Sequence, residues 1–186
     1  MASLSFLRRV LLRFLALLLT GIMAVTLAQN GDHPAEEEVK AAFVLNFIRF
    51  VNWPVSHDAG ELTICSTDDW PLAQAVDKMS RGKQVAGRRL RLRIAGSDLL
   101  EDCSVILVNE EHPRKAAALL AQVAAKPVLT IGEGPGFVTG GGMLALVRER
   151  QKIAFDANVT AIQRSGLDVS SSLLRLARNV RRDGSD

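Results

Sequence analysis

The chain has 186 residues, with 23 Lys+Arg against 20 Asp+Glu. The surplus is three arginines, Arg8, Arg9 and Arg13, at the start of the chain, so the remainder carries the two signs in equal number. That balance leaves no excess of positive charge to hold nucleic acid or an anionic lipid surface.

Residues 1–28 have the form of a secretory signal peptide: a positive n-region, an apolar run from Phe14 to Leu27, and small residues at Thr26 and Ala28 for cleavage. An uncleaved membrane anchor is the rival reading. The run is short for a span of about 20 residues, and a cleavage site follows it. Arg8-Arg9 raises a twin-arginine signal, but its flanks fit poorly, so the general secretory route is expected. Export to the periplasm with no membrane span after cleavage is the resulting expectation. A single domain over 29–180 and a flexible polar tail over 181–186 complete the division.

The next elements follow in chain order. A helix opens over Asp32 to Ala35, with Pro34 in its first turn and Glu36 to Glu38 suited to its dipole. Val39, Phe43, Phe47, Phe50 and Val51 recur at helical spacing, and Trp53-Pro54 ends the run. Leu62 to Ser66 reads as a short apolar strand. Thr67-Asp68-Asp69 is expected to cap a second helix with a buried stripe of Leu72, Ala75, Val76 and Met79, closed by Gly82. Arg89 to Ile94 alternates basic and apolar residues, so the cluster Arg88, Arg89, Arg91 and Arg93 reads as the solvated face of a strand or as an anion site. Cys103 to Val108 is a fully apolar strand. Glu111 and Pro113 start a third helix, with Ala116, Leu119, Leu120 and Val123 on one face. Val128 to Ile131 is another buried strand.

A glycine-rich segment, Gly132 to Gly142, comes next, followed by strands over Met143–Val147 and Ile153–Phe155 with Arg148 to Gln151 as the hairpin turn. Asn158 caps a short helix that stops at Gly166. Ser170 or Ser171 caps a last helix carrying Leu173, Leu174, Leu176 and Ala177. Strands alternating with helices predict a mixed, largely parallel sheet flanked by helices on both faces, with a C-terminal β-hairpin and two short helices.

Several chemistries are disfavoured. Gly132, Gly134 and Gly136 miss the G-x-G-x-x-G spacing, and Pro135 sits among them, so the segment reads as a loop needing positive φ and close packing, not a nucleotide site. The histidines His33, His57 and His112 have no partner motif for a triad and no paired spacing for a metal. Ser170-Ser171-Ser172 looks like a helix start, not a nucleophile elbow. No enzyme activity, cofactor or metal is expected. Cys65 and Cys103 are too far apart for a C-x-x-C redox site, and an oxidising compartment favours pairing them. Closing that loop of about 39 residues contributes about 4 kcal/mol.

The first helix gathers Phe43, Phe47, Phe50 and Trp53 within eleven residues. The phenylalanines read as core anchors, Trp53 at the helix exit is open between core and another role, and Asn46 on the same stripe reads as a buried amide tying the helix to a loop. Asn46, Phe50 and Trp53 are also the candidate ligand pocket.

The helix Lys40-AAFVLNFIRFVNWP, the segment GFVTGGGM, the segment KIAFDANVTAIQRSGLDVSSSLLRLARNV and the Cys65/Cys103 pair together resemble the YfiR family of periplasmic proteins, from about Glu37 to Val180. The resemblance implies a sheet-and-helix sandwich that tends to form a homodimer. It also implies a repressor of the periplasmic sensor domain of an inner-membrane diguanylate cyclase, which makes cyclic di-GMP and favours biofilm. Other members are thought to serve different membrane signalling proteins, such as a sensor kinase. One departure stands out: a second cysteine pair around the glycine loop and the next strand is missing, where Val138, Met143 and Ala145 are among the candidate positions. A redox switch on that pair is therefore not expected here. Phe155, Asp156, Asn158 and Val159, where a strand hands over to a helix, are the expected partner-binding residues, with Phe155 alternatively a core residue and Asn158 equally readable as a cap. Two rival functions are a periplasmic small-molecule-binding adaptor and a thiol oxidoreductase.

Overall fold

The computed structural model describes residues 35–53, 60–95 and 102–182. The expected signal peptide, the helix start at Asp32 and Pro34, His33, His57 and positions 183–186 lie outside the described residues.

Helix α1 (Glu36–Arg49) has three glutamates in its first turn and Arg49 in its last, each suited to the dipole end it occupies. Ala41, Val44, Leu45, Phe47 and Ile48 form its buried face. The helix ends two residues earlier than its periodicity predicts. The Phe50 N–H closes back on the carbonyls of Asn46 and Phe47, and Val51–Asn52 turns extended as β1.

Strand β2 (Glu61–Ser66) leads to α2 (Pro71–Ser80), which buries Leu72, Ala75 and Val76 as expected. Thr67, Asp68 and Asp69 do not cap it. The N-cap is Trp70, with no side-chain bond, and Pro71 supplies the first turn by having no N–H to satisfy. Strands β3 (Gln84–Val85) and β4 (Arg88–Ile94) form a hairpin absent from the sequence reading. Its two central residues, Ala86 (φ 51°) and Gly87 (φ 77°), are both left-handed, as a type I′ turn requires. Arg89 and Arg91 are exposed on β4, while Arg88 donates to the Glu61 carbonyl at 3.1 and 2.8 Å. Arg89 and Arg91 thus form a solvated strand face, the first of the two readings of the arginine cluster, while Arg88 and Arg93 are half-buried.

After β5 (Val105–Leu107) come α3 (Pro113–Val123), β6 (Leu129–Glu133), the single-turn α4 (Gly136–Thr139), β7 (Leu144–Glu149) and β8 (Lys152–Asn158). The β7–β8 turn narrows to Arg150-Gln151, with Arg150 at φ 56°. A non-glycine residue there is strained by about 1 kcal/mol, so Arg150→Gly should raise stability by up to about that amount in urea unfolding. Then follow α5 (Val159–Arg164), β9 (Asp168–Val169), α6 (Ser171–Leu174) and β10 (Asn179–Arg181).

The main sheet has the order β10-β8-β7-β6-β5-β2-β4-β3. Strands β4, β2, β5, β6 and β7 are parallel, and β3, β8 and β10 run against them. A separate ribbon pairs β1 with β9, Val51 opposite Val169 and Asn52 opposite Asp168. The Asn52 amide also donates to Asp168 at 2.9 Å.

Alternation along the strands fills two cores. Val105 and Leu107 face α1 and α2, whereas Ile106 and Val108 face α3. Helices on both faces are thus the direct outcome of strands apolar on both sides. The last helix is much shorter than predicted: Leu176 is 71% exposed, and the Arg178 N–H bonds the Phe155 carbonyl at 2.8 Å to begin β10. Arg181 pairs with Asn158 inside the sheet instead of starting a tail.

Candidate functional site

The four residues expected to meet a partner lie inside the fold: Phe155, Asp156, Asn158 and Val159 are 2%, 3%, 5% and 8% exposed. Three of these side chains have an internal task. The Phe155 ring lies 4.9 Å from Phe47 and 6.2 Å from Phe43, fastening α1 to the sheet. Asp156 accepts from Arg178 Nε at 2.9 Å and Nη2 at 2.6 Å, and from Asn179 Nδ2 at 3.2 Å. The hydrogen bond to Asp156 raises the pKa of the Arg178 guanidinium above its ordinary value. These bonds lock β10 onto β8.

Asn158 uses both ends of its amide. Its Oδ1 accepts from the Ala161 N–H at 3.0 Å, capping α5, and its Nδ2 donates to the Val138 carbonyl in α4 at 3.0 Å. The docking surface expected of these side chains is corrected by their burial: they form an architectural hub joining α1, the glycine segment, the hairpin and the C-terminal strand.

Asn46, Phe50 and Trp53 differ in their settings. Asn46 is exposed, because α1 turns Val44, Leu45, Phe47 and Ile48 inward and leaves position 46 on its rim. The expected buried amide is therefore corrected. It lines a shallow groove with Ala42, Met79, Lys83 and Val85 that neither aromatic reaches. Phe50 is 39% exposed, and the Trp53 indole donates to the Ile48 carbonyl at 3.2 Å.

A charge cluster missed by sequence reasoning sits at the start of α1. Lys40 Nζ lies 3.1, 2.8 and 2.7 Å from carboxylate oxygens of Glu36, Glu37 and Glu133, and Arg148 of β7 pairs with Glu36. Glu36 and Glu37 were legible as i−4 and i−3 neighbours. Glu133 comes from the end of β6 and has no local signal. Burial acts to lower the Lys40 pKa, but hydrogen bonds to Glu133, Glu37 and Glu36 outweigh it and hold the ammonium above the ordinary lysine range. The hydrogen bond from Lys40 is the main reason the Glu36 carboxyl lies below the usual range.

A lowered carboxylate stabilises the fold above its unfolded pKa, and that contribution fades as pH falls through the lowered value. Lysine, raised, contributes below its ordinary pKa and loses that contribution only in strong base. Lys40→Met should therefore lower the Tm at neutral pH by roughly 5 °C. It should also flatten the decline in Tm between about pH 5 and pH 3, as read by calorimetry.

Cys65 and Cys103 are joined, with Cα atoms 5.8 Å apart. Val138, Met143 and Ala145, around the missing second pair, are 6%, 2% and 0% exposed, so the positions are apolar core. Among the described residues no group of three or more His, Cys, Asp or Glu could hold a metal ion. No helix among them is long and apolar enough to cross a membrane.

The topology and its disulfide define a mixed α/β domain with a mostly parallel sheet and helices on both faces. A profile described as YfiR/HmsC-like matches residues 37–178, and the chain belongs to that family. Among solved structures it is similar to a conserved domain protein from Vibrio cholerae O1 biovar eltor str. N16961, with a TM-score of 0.56 and 12% identity. The match covers 79% of this chain and 60% of that one, so this chain spans about 60% of its neighbour's length. At that identity the likeness speaks for the fold alone.

Proposed function

We propose that this protein is a periplasmic regulator that binds the sensor domain of an inner-membrane signalling protein and represses it. The partner is a diguanylate cyclase controlling cyclic di-GMP, with a sensor kinase as the second choice. The observation that carries this reading is membership of the YfiR/HmsC-like family across nearly all of the folded domain. A buried disulfide agrees with an oxidising compartment.

Repression follows from differential binding: a protein that prefers the cyclase's inactive state holds it there. Moving the balance from 1:99 to 99:1 takes about 5.5 kcal/mol, which an interface of ordinary size supplies. The repressor acts as a homodimer, as the family resemblance implies. Loss of Cys65–Cys103 acts by lowering the concentration of folded repressor.

The direct test is calorimetric titration of the purified protein into the periplasmic domains of the diguanylate cyclases of its own cell. Binding to one of them at micromolar Kd or tighter is expected. No heat of binding from any of those domains would reject the pairing.

A further inference from the structure

We propose that the crevice at the carboxyl ends of β2 and β5 is a binding site for a small organic acid carrying a second hydrogen-bonding group, such as a hydroxy or amino acid. This inference stands independently of the partner's identity.

The parallel strands run β4-β2-β5-β6-β7. From β2 the chain crosses through α2 to β4 on one side, and from β5 it crosses through α3 to β6 on the other. Helix α2 packs into one core and α3 into the opposite one. Strands β2 and β5 are neighbours, yet the segments leaving them diverge to opposite faces. Such a topological switch point opens a crevice beyond the strand ends, which is where open α/β sheets bind ligands.

The crevice is present, with polar groups set around apolar ones. Thr67 and Asp68 enter from the loop after β2, Asn109 and His112 from the loop after β5, and Lys115 from α3, over an apolar floor that includes Leu119. Its volume is about 210 Å³, which has room for a small metabolite.

The walls are tied to each other before any ligand arrives. Thr67 N–H donates to the Leu107 carbonyl at 3.1 Å, and Asn109 N–H donates to Thr67 Oγ1 at 3.1 Å. Thr67 Oγ1 donates to Asp68 Oδ2 at 3.0 Å, and Glu111 N–H donates to Asn109 Oδ1 at 3.1 Å. The last bond fixes the Asn109 amide with Nδ2 as its donor. Trp70 Nε1 donates to Ser66 Oγ at 2.9 Å, and that hydroxyl donates to the Asp68 carbonyl at 2.7 Å. The Cys65–Cys103 bond joins β2 to the segment entering β5. A site held this way loses little entropy when a ligand binds.

The residue types divide the work. Lys115 supplies a full positive charge for a carboxylate, with His112 beside it as a donor. Asp68 and the Asn109 amide offer an acceptor and a donor to a hydroxyl or ammonium on the same molecule. The combination of one cation, one carboxylate and one amide over an apolar floor matches an acid with a second polar group better than a bare inorganic anion.

The test is an NMR titration of the ¹⁵N-labelled protein with L-malate, L-glutamate and, as a probe without a carboxylate, glycerol. Saturable shifts at the Thr67, Asp68 and Asn109 amides are expected for at least one acid, with Kd below about 1 mM, and none with glycerol. Lys115→Gln should raise that Kd about tenfold and leave the rest of the spectrum unchanged. Lys126→Gln, an exposed lysine beyond the end of α3, should leave the Kd unchanged. Silence from both acids overturns the proposal. So does a response that Lys115→Gln and Lys126→Gln affect equally, which would mean general ionic binding.

Discussion

Replacing Cys65 and Cys103 together by alanine should lower the unfolding free energy by about 4 kcal/mol. Typical domains have only 5–15 kcal/mol in total, so the loss removes a large share of the stability. The bond spans 38 positions of sequence, and both cysteines are buried, at 0% and 5% exposed. The cost comes from the unfolded chain, which gains freedom when its loop is no longer closed; the alanines themselves leave only small voids. Urea unfolding of the wild type with and without reductant isolates the effect, and the reduced wild type should match the double variant. A difference under about 1 kcal/mol between oxidised and reduced protein would contradict the loop-closure account. It would also remove the proposed link between reductant and the concentration of folded protein.

Gly142→Ala should cost about 3 kcal/mol, near the upper end of the usual overpacking range. A Cβ at Gly142 would overlap the Cε1 and Cδ1 edge of the Phe137 ring. A Cβ at Gly132 would come within 2.5 Å of Cδ2 on the opposite edge. Two glycines thus clamp one fully buried ring from both sides, and the ring cannot retreat from one without striking the other. Neither glycine has positive φ, so the cost is steric and not conformational. Gly132→Ala should be nearly as severe. Phe137→Leu placed in the Gly142→Ala background should recover part of the loss, because the narrower side chain frees the space. A double-mutant cycle in urea measures that coupling, and simple additivity would show that the ring is not what the new methyl meets.

The sequence made some of this visible and hid the rest for physical reasons. Strands with apolar residues on both faces, such as Val105 to Val108, announced a sheet covered on both sides. The stripe Ala116, Leu119, Leu120, Val123 announced α3. The glycine segment was rightly read as close packing with positive φ, and Gly134 (φ 80°) and Gly141 (φ 101°) confirm the second part. What it could not announce was that Phe137, within the same segment, is the object packed against. The two-residue strands β1 and β9 were illegible because neither is long enough to carry a period. β10 was hidden behind Leu176 and Ala177, whose spacing mimics a continuing helix. Asp156 looked like a surface carboxylate because its partners, Arg178 and Asn179, lie more than twenty residues away. The meeting of Thr67 with Asn109 was equally silent, since it depends on β2 and β5 being neighbours and not on any motif.

Under the proposed function the protein is exported and represses a cyclase from outside the cytoplasm. The most direct test of that proposal measures cyclic di-GMP in host cells lacking the gene, complemented either with the full chain or with a chain lacking residues 1–28. The account predicts a several-fold rise on deletion, reversed by the full chain and not by the leaderless one. An unchanged cyclic di-GMP level on deletion, or rescue by the leaderless chain, would contradict it.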